Sequence, residues 1–202
     1  MRRFPIERLV VATHNAGKLA EFRALLAPFD VAVVSAAELG LPEPEETEAS
    51  FHGNARIKAR AAARASGLVA LGDDSGLEVD ALDGAPGVFT ANWAEIDGRR
   101  DFAHAMRRTH DELIARNAPE PWRARFRCTL VLTWPDAQEE VFEGAVEGCL
   151  VWPPRGKEGH GYDPMFQPKG HEETFAEMPE AEKNAISHRA CAISEMVQRC
   201  FT

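Results

Sequence analysis

The chain interleaves short β-rich runs with helix-spaced apolar stripes along its whole length, and that alternation restricts it to an α/β architecture. Leu9-Val10-Val11-Ala12 reads as a strand that stops at a polar stretch, Thr13-His14-Asn15-Ala16-Gly17-Lys18. Behind it, Leu19, Phe22, Leu25 and Leu26 recur at helical spacing until Pro28. Val31 to Val34 supplies a second strand, and the proline-bearing acidic segment Leu41–Glu48 cannot be regular structure. Ser50 is placed to cap an alanine-rich helix that Gly67 closes. Leu68 to Leu71 forms a compact strand ending in a loop, Gly72-Asp73-Asp74-Ser75-Gly76. A further loop at Gly84-Ala85-Pro86-Gly87 precedes a helix over residues 101–116. Phe126, Cys128, Leu130 and Leu132 alternate with Arg127, Thr129, Val131 and Thr133, the period of a half-buried strand, with Val141 to Val151 as its hairpin partner. After a turn-rich stretch to Pro168, a helix from Ser187 carries Ile193, Val197 and Phe201. The expectation is one domain over residues 1–202, α/β, with a central mixed β-sheet flanked by helices.

Charge narrows the partners. In 202 residues, 23 Lys and Arg stand against 32 Asp and Glu, a formal net charge of −9. A chain of that sign is poorly suited to duplex nucleic acid or an anionic membrane, where cationic side chains carry the affinity. The start, Met1 to Arg8, is followed by only a short apolar run, and no stretch approaches the roughly 18 apolar residues of a membrane span. Cys128, Cys149, Cys191 and Cys200 show no metal-ligand or redox spacing. A cytoplasmic protein with reduced thiols is the expectation.

Five segments could carry chemistry. Thr13 to Lys18 turns from a strand into a helix, exposing backbone N–H groups where the helix dipole favours an anion, with Gly17 permitting close approach and Lys18 adding a charge. Its spacing is not that of a Walker A loop. Asp73 and Asp74 follow a buried strand and repel each other unless a cation shares them, and magnesium, which takes one or two carboxylates plus substrate phosphates, suits the place. Glu45-Glu46 could add a carboxylate to the same ion. Gly159-His160-Gly161-Tyr162-Asp163-Pro164 sets an aromatic between glycines, with room for a flat ligand. Glu182 to Arg189 gathers Lys183, Ser187, His188 and Arg189 at a helix start, and Lys and Arg, donors only, would select a carbonyl over an amino group. Taken singly, each has an ordinary alternative: a capped helix, an Asp-rich turn, a solvated loop, a core tyrosine. No nucleophile elbow or dinucleotide fingerprint is present.

The order of these blocks is more telling than any one of them. Thr13–Lys18, Glu46-Thr47 with Phe51, Asn54-Ala55 and Lys58, Asp73-Asp74-Ser75-Gly76-Leu77, Gly84–Gly87, Gly161-Tyr162-Asp163-Pro164 and Lys183–Arg189 together resemble the inosine triphosphatase-like family of pyrophosphatases acting on non-standard purine nucleoside triphosphates. The resemblance spans nearly the whole chain. It implies Mg²⁺-dependent hydrolysis of dITP, ITP and XTP to monophosphate and pyrophosphate, which clears deaminated purines from the nucleotide pool. It further implies an elongated mixed sheet in two lobes with an active-site cleft between them, and a homodimer. By the same resemblance, Thr13, His14, Asn15, Ala16, Gly17 and Lys18 would hold the triphosphate, together with Lys58. Asp74 would be the metal ligand and general base, with Glu46 helping at the metal and Ser75 touching substrate. Tyr162 would stack on the base within His160, Gly161 and Asp163, while Lys183, His188 and Arg189 would read it.

Three positions depart from the family pattern: His14 and Glu48 stand where Gly is frequent, and His160 where Phe is common. A donor left facing an amino group costs roughly 1–3 kcal/mol, so such donors would favour a purine with oxygen at position six over adenine. Guanine carries that oxygen too, and its exclusion needs something more. The competing readings are a pyrophosphatase for modified pyrimidine or methylated nucleotides, a nucleotide sensor without turnover, and an acidic scaffold.

Overall fold

A computed structural model describes residues 7–200. In chain order the elements are β1 (Arg8–Val11), α1 (Ala16–Leu26), β2 (Ala32–Ser35), α2 (Phe51–Ser66), β3 (Val69–Val79), β4 (Glu95–Ile96), β5 (Arg99–Arg100), α3 (Phe102–Ala115), β6 (Trp122–Thr133), β7 (Glu139–Leu150), β8 (Phe166–Pro168), α4 (Glu180–Ile186) and α5 (His188–Cys200). Six strands form one mixed sheet in the order β2-β1-β3-β6-β7-β8, and β4 and β5 make a small hairpin. β1 runs parallel to both β2 and β3, whereas β7 and β8 are antiparallel. The expected α/β class with a mixed central sheet is what forms.

The described chain divides into two compact units, one of residues 7–74, 128–144 and 189–200, the other of residues 75–127 and 145–188. In the first unit, the pleat of the buried strands sorts side chains to two helical layers. Leu9 and Val11 of β1, Leu71 of β3 and Leu130 and Leu132 of β6 pack with Phe22 and Leu26 of α1 and with Ile193 and Met196 of α5. The alternate residues Val10 and Ala70 meet Ala62 and Ala63 of α2, and Val131 meets Ala55 and Ala59. The second unit has its own core, in which Leu77, Phe126, Phe166, Phe175 and Tyr162 are prominent.

Ser50 and Gly67 bound α2 as the sequence places them, and α1 and α3 are capped in the same way. Asn15 accepts from the Lys18 backbone N–H, Ser50 from Gly53 and Asp101 from His104, and Gly67 ends α2 at φ 68°. Three expectations are corrected. β3 does not end at Leu71; it continues through Gly72, Asp73 and Asp74 to Val79, so the acids are strand residues rather than loop residues. β6 is half-buried only over its first residues, because from Cys128 to Thr133 both faces are covered by helices. Lys183 to Arg189 does not open a single helix: Ser187 is the extended residue separating α4 from α5. The placement of Phe201 on the last helix lies outside the described residues.

Gly72 fixes how closely α2 approaches the sheet. A Cβ built there collides with the Ala55 carbonyl oxygen and lies 2.8 Å from the Ala59 nitrogen, both backbone atoms that cannot swing aside. Gly72→Ala is expected to lower stability by about 3 kcal/mol, the upper range for overpacking a rigid core, read as a lower denaturant midpoint at unchanged m-value.

Candidate active site

The first unit carries an ionic network built around the two adjacent aspartates. β1 stops at Val11, and Ala12 donates its backbone N–H to Leu71, so β3 runs on past the end of its neighbour. The acids therefore lie beside the Thr13–Lys18 turn, at the carboxyl end of a parallel strand, where open α/β sheets bind ligands. Because strand side chains alternate, Asp73 shares a face with Leu71, towards α1 and α5, and Asp74 shares the opposite face with Gly72, towards α2. Neighbours in sequence, they have different company.

Asp73 is locked. Its Oδ2 accepts from Lys18 Nζ at 2.5 Å and from Arg189 Nη2 at 3.5 Å, and its Oδ1 accepts from the Cys128 thiol at 3.2 Å. Burial alone would raise this carboxyl, but Lys18, Arg189 and Lys58 outweigh it and hold it well below the usual carboxylate range. Burial and the nearby Asp73 charge push the Cys128 thiol up, so it stays a protonated donor. Behind Asp73, Arg189 is bound to Glu21 of α1, itself only 4% exposed.

Asp74 is the opposite case. It is 6% exposed, and its Oδ2 has no hydrogen-bond partner among the described residues. Its Oδ1 lies 3.4 Å from Lys58 Nζ, and the same nitrogen is 3.0 Å from Glu46 Oε1. Burial, with Glu46 and Asp73 adding to it against Lys58 and Lys18, pushes the Asp74 carboxyl up to about 6. Lys58 is buried too, but the three surrounding carboxylates keep it an ammonium. One lysine therefore stands against each acid, Lys18 on Asp73 and Lys58 on Asp74.

The rest of the expected triphosphate loop is present in the same unit. Thr13 is buried and its Oγ1 accepts from the Asn15 N–H at 3.1 Å. The Asn15 side chain is spent on capping α1, with Ala16 and Gly17 in the first turn. His14 Nε2 is 2.8 Å from the Leu41 carbonyl, which ties this turn to the acidic loop.

The second unit holds the residues expected to meet a base. Asp163 Oδ2 accepts from the His160 N–H at 2.8 Å and from Lys183 Nζ at 2.6 Å. Gly159, at φ +73°, leaves room for that carboxylate, and Gly161 sits at φ +69°. His188 is buried and stacked on Phe126, ring centroids 5.0 Å apart. Ser75 is half-buried on β3.

Two site expectations change. Tyr162 does not offer a face for stacking: it is 1% exposed, edge-on to Phe102 at 5.9 Å, and part of the second unit's core. The exposed ring in that turn is His160. Arg189 is not a base reader as placed; its guanidinium lies buried in the first unit between Glu21 and Asp73. Glu21 and Cys128 are the residues the sequence reading passed over, while Asp73, named there as half of the acid pair, turns out to be held by Cys128, by Lys18 and by Arg189, which Glu21 backs. The available signal was Glu21, a carboxylate three residues after Lys18 and beside Phe22 in the apolar stripe of α1.

Among the described residues no cluster of three or more His, Cys, Asp or Glu side chains forms a closed metal cage. The donor set instead suits a hard divalent ion, which takes one or two carboxylates and completes its shell with water and phosphate. The unpartnered Asp74 Oδ2 and the nearby Glu46 carboxylate fit it.

Known proteins resemble this chain in both sequence and fold. A model of the Ham1 family matches residues 9–199. A Ruegeria pomeroyi protein named dITP/XTP pyrophosphatase is 63% identical over 200 residues, 99% of this chain and 98% of its own length. An Agrobacterium fabrum protein of the same name is 54% identical, over 100% of this chain and 99% of its own. The solved structure of a HAM1 protein from Coxiella burnetii superposes with a TM-score of 0.87 at 38% identity, covering 95% of this chain and 97% of that one.

Asp74 also makes a prediction about stability. A carboxyl raised to about 6 when folded, against about 4 when unfolded, contributes stability that is complete below pH 4 and lost as pH rises through 6. In metal-free protein, Asp74→Asn is therefore expected to be more stable than wild type at pH 8, by about 2–3 kcal/mol. The gap should close towards pH 4 in denaturant titrations at the two pH values, and a less stable variant at pH 8 would contradict the placement.

Proposed function

The chain belongs to the Ham1 family, and from that premise we propose that it is a Mg²⁺-dependent pyrophosphatase for dITP, ITP and XTP, releasing the monophosphate and pyrophosphate. The family relatives named dITP/XTP pyrophosphatase support the reaction class. The observation that carries the catalytic assignment is Asp74: buried, raised to about 6, with one oxygen unpartnered and a lysine on the other.

In this reading Asp74 and Glu46 hold the divalent ion. Bound there, the ion neutralises charge on phosphate oxygens and lowers the pKa of water. Asp74 would also take the proton from the water attacking the α-phosphorus, as a carboxylate whose basicity burial has raised towards the working pH. Lys58 and Lys18 supply cationic charge that a protein of net charge −9 must concentrate locally to hold a polyanion. The N-terminal turn of α1 adds its dipole and backbone N–H groups. Asp73, pinned by Lys18, Arg189 and Cys128, keeps that corner rigid and does no proton chemistry.

The second unit would recognise the base. Lys183, oriented by Asp163, and His188, oriented by Phe126, favour a purine carbonyl over an amino group, and the exposed His160 ring takes the stacking role expected of Tyr162. A homodimer working in the cytoplasm completes the proposal. Among the described residues no helix is long and apolar enough to cross a membrane.

Product analysis tests it. With Mg²⁺, dITP and XTP should yield pyrophosphate, ahead of GTP, dATP and dUTP, and Asp74→Asn should lower kcat by a factor of about 10³ or more. Orthophosphate as the product, turnover led by pyrimidine nucleotides, or an Asn variant at wild-type rate would overturn the assignment.

A further inference from the structure

Lys58 stands where the metal reading needs a cation. Its Nζ touches one oxygen from each carboxylate assigned to the ion, Glu46 Oε1 at 3.0 Å and Asp74 Oδ1 at 3.4 Å, in a residue only 6% exposed. Even with the open Asp74 Oδ2 available to the ion, two cations cannot sit on the same two carboxylates without repelling each other at close range. Nor can a buried ammonium be stripped of its anions and left alone, which would be strongly destabilising. The Lys58 backbone belongs to a helix packed closely on Gly72 and Val131. Its four-carbon stem can still carry the charge a few ångströms to a new anion.

We propose that Lys58 is an exchangeable counter-ion of the metal site: it holds Glu46 and Asp74 together before the ion arrives, cedes them on loading, and transfers its charge to an oxygen of the incoming triphosphate. The inference rests on the metal reading above and goes beyond it by linking the two binding events. Lys58 loses its partners when the ion enters alone and gains a new one when the triphosphate enters with it. Metal and nucleotide therefore favour each other's binding, reciprocally. Before the nucleotide arrives, the lysine keeps metal affinity low.

The test is Mn²⁺ or Mg²⁺ binding without nucleotide, by calorimetry, to wild type, Lys58→Gln and Lys58→Arg. Removing the resident charge leaves Glu46 and Asp74 without their cation, so Lys58→Gln is expected to bind the metal alone about tenfold or more tightly, while Lys58→Arg stays close to wild type. Adding a non-hydrolysable dITP analogue should raise metal affinity more in wild type than in Lys58→Gln. Equal or weaker binding by a folded Lys58→Gln overturns the exchange and leaves the metal reading intact. No binding by wild type, with or without the analogue, overturns both. A second measurement needs no variant that must fold. The chain has only five lysines, and the ¹⁵N ammonium resonance of Lys58 should move or broaden when Mg²⁺ is added alone. A signal unmoved at saturating metal overturns the proposal.

Discussion

The pleat of β3 sends two consecutive carboxylates to opposite faces, and the character of the site follows from that separation. Two aspartates pointing the same way would compete for one set of cations and share a proton. Apart, each is governed by its own helices. Asp73 meets Lys18 of α1 and Arg189 of α5, backed by Glu21 and Cys128, and is a permanent anion in a network of fixed geometry. Asp74 meets Lys58 of α2, which it shares with Glu46, and keeps one oxygen open. One strand thus presents a locked acid and an acid with a free oxygen side by side.

The close seat of α2 on Gly72 couples packing to chemistry. An alanine-rich helix can lie against the sheet only where the strand lacks a side chain, and that contact sets the reach of Lys58. The buried charge is costly in itself, since desolvation often outweighs attraction in an interior. It is retained where a pKa near neutrality and a patch of concentrated cations serve a polyanionic substrate.

Much of this was legible in the sequence, and the limits have physical causes. The interleaved elements and the ends of α2 at Ser50 and Gly67 follow from local patterning, and the order of motifs singles out Lys58, Glu46 and Asp74, which meet in the fold. The extension of β3 through its acids did not, because Gly and Asp are poor strand formers and only pairing with neighbouring strands holds them extended. The Glu21–Arg189 pair joins residues 168 positions apart, and no single-sequence pattern marks such a contact. Tyr162 sits between glycines whether it faces solvent or core, so its burial in the second unit could be read only from the fold.

The division of labour between the acids can be observed directly by following the side-chain carboxyl ¹³C shifts of metal-free protein through a pH titration, with each resonance assigned by its Asn variant. The account requires the Asp74 signal to titrate with a midpoint near 6 and the Asp73 signal to stay that of a carboxylate throughout the native range. Two aspartates titrating together near the ordinary value of about 4 would contradict it.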